Sequence, residues 1–375
     1  TATCATLHEW LRRLGFAPPR SLLLNGKQPL TRAECVDFLY RLLQEGGERL
    51  PEGGSWLRPG GDDDGDGRGD YDDPLPFDRD NNSVPDRLQP PLSSAQAKPF
   101  GRRVLVADFS GDKVAIVAAD GTVEWQFPAE KPQDVWMLKN GNVLFSHLRG
   151  AREVTMNKEV AWEYVSPENT EVHSCQPLPD GGVLVAECDT KRLLEVGRDG
   201  RIAREIPVPI KQQSTHGQLR GCRRTPDGRY LISANASRTV LELGADGKLL
   251  REIKVPGDTM EVRELANRHL LVACGDGHDL IELDAGGKVV WRLGAEELPG
   301  NPLRFISGFQ ILPDGHLVVC NWLGHGHLGT TAQFFELDAN RKVVRQFADH
   351  ARFVSISKVQ LLDVPGDPAK DEVRR

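Results

Sequence analysis

No run of the 375 residues approaches the roughly 20 consecutive apolar side chains that a bilayer-spanning helix needs, so the sequence predicts a chain that is not transmembrane. A basic stripe is also missing, which removes the phosphate-neutralising surface of a nucleic-acid binder. There is no phosphate-cradling Gly loop, no nucleophile elbow and no Cys-x-x-Cys-His haem attachment, so those three routes to an activity are closed. Cysteine is scarce, and seven is an odd number, so the thiols cannot all pair within the chain. Cys4 and Cys35 flank two helical segments and are a candidate disulfide. Cys188, Cys274 and Cys320 close apolar strands, where buried thiols are expected. The sequence opens at Thr1 without Met or a basic-then-apolar leader, which reads as a processed, secreted protein of the extracellular space or cell surface.

What is present points to β structure: 38 Gly and 25 Pro with 39% hydrophobic residues describe a chain rich in turns. The formal charge of −7 is local. Ten Asp against Arg68 and Arg79 give residues 62–86 a charge of −8, leaving +1 for the remainder.

Three regions follow from these patterns. In 1–50, Thr6 with Glu9 and Thr31 with Glu34 form capping boxes before apolar stripes, predicting two short helices. Residues 51–100 are rich in Asp, Pro and Gly and predict a linker. From 101 to 375, short β-branched strands alternate with Asp-Gly and Asn-Gly turns. Turns recur at 140, 180, 227, 267 and 314; Glu195, Glu242, Glu282 and Glu336 recur on one strand; Trp125, Trp162, Arg204, Arg251, Trp291 and Arg345 recur on another. A period near 40 to 47 residues with four short strands per unit predicts a six-bladed β-propeller. The first unit lacks an inner strand and "SKVQLLDV" near the end is an inner strand without a blade, so the two should share one sheet. The three Trp in matching positions are expected to pack between blades.

Two sets of residues could carry chemistry. Asp62, Asp64, Asp66, Arg68, Asp70 and Asp73 fall at the ligand positions of a twelve-residue calcium loop, with Gly67 at the turn and the Arg68 carbonyl as a ligand. Asp78, Asp80, Asn82 and Asp86 follow and suggest a second ion, the alternative being a solvated acidic linker. In a propeller, loops before inner strands and after second strands open on one face. His173 and His216 precede inner strands, and His147, His278, His325 and His327 follow second strands, so all six map to that face with Arg149, Arg220, Arg263, Asn321 and Trp322. A His-x-His pair can chelate a transition metal or act as acid and base, and can equally be a surface turn.

These motifs resemble known families. "QPLTRAECVDFLYRLLQ" resembles one S-layer homology repeat, and the segment through "DRDNNSVPD" resembles thrombospondin type 3 calcium repeats. "DGTVEW", "GGKVVW" and the "LPDG" turns resemble quinoprotein-like propeller repeats over residues 103–363, although the residues that seat pyrroloquinoline quinone are not recognisable. The chain also resembles the six-bladed propeller of bacterial arylsulfate sulfotransferases, which implies a His-lined funnel as a reaction centre. Two functions follow as expectations. One is a calcium-dependent binding or assembly protein whose partner is an extracellular protein, a polysaccharide or further copies of itself. The other is a sulfuryl-transferring or carbohydrate-modifying enzyme using His173, His216, His325 or His327 with Arg220, with or without a transition metal in the funnel.

Overall fold

A computed structural model describes residues 99–375, apart from 212–213, 296, 299–302 and 326. The expected helical module, the Cys4–Cys35 pair and the acidic segment from Asp62 to Asp86 lie outside the described residues.

Six four-stranded antiparallel sheets form the six blades of a propeller, as the repeat predicts. Blade I takes its inner strand from Ile356–Leu361 and its other three from Val104–Asp108, Lys113–Val117 and Val123–Pro128, so the expected closure holds. Blades II to VI run from inner to outer strand in sequence order, beginning at Val135–Met137, Val172–Pro177, Leu219–Arg224, Thr259–Glu264 and Ile306–Ile311. Each inner strand contacts those of the two neighbouring blades, and the series closes on itself through blades VI and I.

The strands read as continuous apolar runs because both faces of every blade are covered. In Val183–Glu187, Val183 and Val185 enter the cluster shared with blade II, while Leu184 and Ala186 enter the one shared with blade IV. Alternation therefore sorts residues between two neighbours rather than between core and water. Six apolar clusters result, one for each interface. Burial of each large aliphatic side chain contributes about 1.5–3 kcal/mol.

Outer-strand residues join the blades by a repeated hydrogen bond. Trp125 Nε1 donates to the Met156 carbonyl and Trp162 Nε1 to the Gly197 carbonyl, both at 3.0 Å. Arg251 Nη1 reaches the Ala285 carbonyl at 2.9 Å in the same way, and Trp291 stacks under Arg341. Three of the recurring Glu hold side chains from the turn between the first two strands of their blade, while Glu195 instead accepts from Tyr230 of the next blade. Glu242 accepts from Arg229, Glu282 pairs with His269 at 2.6 Å, and Glu336 pairs with His316 at 2.9 Å. The Cys175, Cys188, Cys222, Cys274 and Cys320 thiols are free and buried.

Candidate functional site

A β-bulge interrupts the pairing of inner and second strands at a common place in five blades, marking His173, Arg220, Met260, Ser307 and Ser357. Bulges re-aim side chains. In blade III the bulge turns His173 back toward Glu171, whose carboxylate it meets through Nε2 at 2.8 Å. His216 lies on the single helical turn Thr215–Gly217 before blade IV, and its Nδ1 reaches the same carboxylate oxygen at 2.9 Å. The two imidazoles stand edge to face, with centroids 5.3 Å apart. Arg220 occupies in blade IV the register position that His173 holds in blade III.

Burial and the nearby Arg220 cation push the His173 imidazole down to about 3, so it is neutral at physiological pH and donates its Nε2 proton. Burial alone would raise the Glu171 carboxyl, but hydrogen bonds from His173 and His216 outweigh it and hold the group well below the usual range. Burial is also the main effect on Arg220, whose pKa is lowered; the Glu171 charge opposes it. One neutral imidazole, one carboxylate and one buried cation thus meet a second imidazole at the mouth between blades III and IV.

The other expected residues fall elsewhere. His325 sits over blades V and VI, its Nδ1 3.1 Å from Asp276 and its ring against Trp322 and Phe305. His327 caps a turn, its carbonyl accepting from Thr330 Oγ1 at 2.7 Å. Trp322, expected at a ligand site, packs against Phe305 with centroids 5.0 Å apart. Asn321 is buried and bonds the backbone of Arg304 and Ala332. Arg263 is not on this rim: it lies near the far end of Thr259–Glu264 and pairs with Asp371 of the segment that follows the closing strand. Burial, and secondarily the Arg152 cation, lower His147 to about 4.

A charged network crosses the axis. The residue after each bulge faces the axis, and with Asp134 of blade II this ring is Asp134, Ser174, Gly221, Glu261, Gly308 and Lys358. Arg223 spans it, donating to Asp134 at 2.8 Å, Ser174 at 2.8 Å and Glu261 at 2.7 Å. Lys358 also binds Glu261 at 2.7 Å, and Arg375 binds Asp134 at 2.6 Å while lying 4.0 Å from the Trp136 ring centroid. The glycines make room: a Cβ on Gly221 would sit 2.7 Å from the Glu261 carboxylate.

No family model and no curated protein matches the sequence. Among solved structures, a protein of unknown function from Bacteroides caccae is 31% identical, with a TM-score of 0.64 over 69% of this chain and 97% of that one. Virginiamycin B lyase from Staphylococcus aureus is 14% identical, with a TM-score of 0.50 over 69% of this chain and 92% of that one. A catalytically inactive histidine-to-alanine form of that lyase with quinupristin has the same TM-score and identity, over 73% of this chain and 98% of that one. At that identity the lyases share the fold alone. The Bacteroides protein is alike along almost its whole length, and this chain belongs to its family of six-bladed β-propellers.

Proposed function

We propose that this chain is a calcium-binding protein of the cell exterior that serves as a rigid recognition or assembly platform. The observation that carries this reading is the plugged axis. Arg223, Glu261, Lys358 and Arg375 fill the place where a propeller enzyme would open a central funnel, which favours a partner bound on a face over a substrate enclosed at the centre. On this reading the partner is an extracellular protein, a polysaccharide or a neighbouring copy. The segment resembling thrombospondin type 3 repeats holds calcium through Asp62, Asp64, Asp66, Arg68, Asp70 and Asp73, and a second ion through Asp78, Asp80, Asn82 and Asp86. The S-layer-like segment in 1–50 supplies attachment, and the quinoprotein-like repeat supplies only the frame.

Elemental analysis with sedimentation velocity, before and after EGTA, tests it. The expected result is bound calcium and a change in particle size on chelation. Calcium-free protein of unchanged size would overturn the reading.

A second reading, an enzyme acting on an anionic group, is favoured by one observation: His173, His216 and Arg220 gather with Glu171 at one mouth. An aryl sulfate donor turned over by the native chain but not by His173→Ala would support it; no turnover with such donors would remove the sulfuryl-transfer form.

A further inference from the structure

We propose that Glu171, His173 and His216 bind one divalent transition-metal ion of the zinc class, independently of the calcium segment. Their three ligand atoms lie within 4.8 Å of one another, and both imidazole nitrogens already point at a single carboxylate oxygen. In a tetrahedral zinc site with bonds of about 2.0–2.2 Å, neighbouring ligand atoms stand roughly 3.4 Å apart. The present separations of 2.8 and 2.9 Å need to open by about half an ångström to admit an ion, and the two imidazole nitrogens, within 4.8 Å of each other, need to settle at the same spacing.

His173 forms the buried wall of this site. Its residue is 3% exposed, its Nε2 meets Glu171 at 2.8 Å, and no hydrogen bond reaches its Nδ1 among the described residues. Ligation through Nε2 would place the ring proton on Nδ1.

The donor set also selects the ion. Calcium and magnesium take oxygen ligands, whereas two imidazoles with one carboxylate suit zinc, cobalt, nickel or copper. Access runs past His216, whose side chain is 53% exposed against 1% for His173. Three protein ligands leave one position open. The Glu171 and Arg220 charges offset each other, so the ion's own double charge faces that position and favours an anionic fourth ligand.

The test uses the tag-free full chain, stripped with EDTA and dialysed into excess calcium so that the acidic segment is saturated. Cobalt(II) is then titrated and followed by its visible ligand-field bands. We expect one equivalent bound, zinc displacing it, and more than about tenfold weaker binding in both His216→Ala and Glu171→Gln. His325→Ala should bind as the native chain does. No ligand-field band in the native chain, or equal binding in His216→Ala and Glu171→Gln, would overturn the proposal. His216 lies in an exposed turn, and a far-ultraviolet spectrum confirms that each variant is folded. Because calcium is present throughout, the outcome is separate from that of the calcium reading.

Discussion

Replacing Glu261 with Gln would remove the carboxylate on which the axial plug is centred. The side chain is fully buried and accepts from Arg223 and Lys358, both at 2.7 Å. Burial alone would raise its pKa, but the Arg223 and Lys358 cations outweigh that and hold it down to about 2. The amide leaves Arg223, Lys358 and Arg375 facing Asp134 as the remaining carboxylate of this network among the described residues. Losing one member of a buried ion pair costs about 3–5 kcal/mol, because the uncompensated charge stays in a medium of low dielectric. For a domain of this size that corresponds to a fall in Tm of roughly 6–20 °C. Differential scanning calorimetry at pH 7 and low salt would measure it. A fall under about 2 °C would refute the reasoning, since it would mean that water or a counter-ion reaches the axis and screens the charges. Glu261→Met with Lys358→Met tests the converse, because removing anion and cation together should cost less than the single change.

Acid should weaken the fold in two stages. His147 and His173 are held to about 4 and about 3, while in the unfolded chain they protonate near 6.5, so stability falls as pH drops from about 6.5. Below about 4.5 the loss deepens, as the unfolded chain protonates the carboxylate that Glu261 keeps ionised down to about 2. Melting followed from pH 7.5 to 4 should show this slope, His147→Gln should flatten its upper part, and a flat native profile would contradict both assignments. Gly221→Ala places a Cβ 2.7 Å from the Glu261 carboxylate and should cost about 1–3 kcal/mol by overpacking, read as a lowered urea midpoint; an unchanged midpoint would show slack in the ring. Trp162→Phe keeps the apolar contact but loses the 3.0 Å bond to Gly197, with an expected cost of about 1 kcal/mol in the same assay, and no change would mean that the bond is not a fastening between blades.

The six blades were legible because their turns, their half-buried Glu and their outer Trp or Arg each recur, and a structural repeat prints the same demand on every unit. Closure was legible for a related reason: "SKVQLLDV" has the pattern of an inner strand with no blade of its own. The axis was not legible. Asp134, Glu261 and Lys358 share one ring position with Ser174, Gly221 and Gly308, so no one residue type recurs in every blade to announce the ring. Register alone placed Arg263 on the rim, because counting along a strand does not show at which end a long side chain finds its carboxylate. Glu171 does not stand out among the many acidic residues of the chain. Its signal was the spacing Glu-x-His, which on extended chain brings both side chains to one side.

The shared sheet of blade I also bears on how the protein is made. Its first and last strands pair across the length of the ring, the Ser357 hydroxyl donating to the Ala107 carbonyl 250 positions away, so a ribosome exposes Val104–Asp108 long before its partner has been synthesised. Until then that strand offers an open hydrogen-bonding edge to any other nascent chain. Folding of the ring is therefore governed by its slowest and most distant contact, and the interval before closure is when it is most exposed to misassembly.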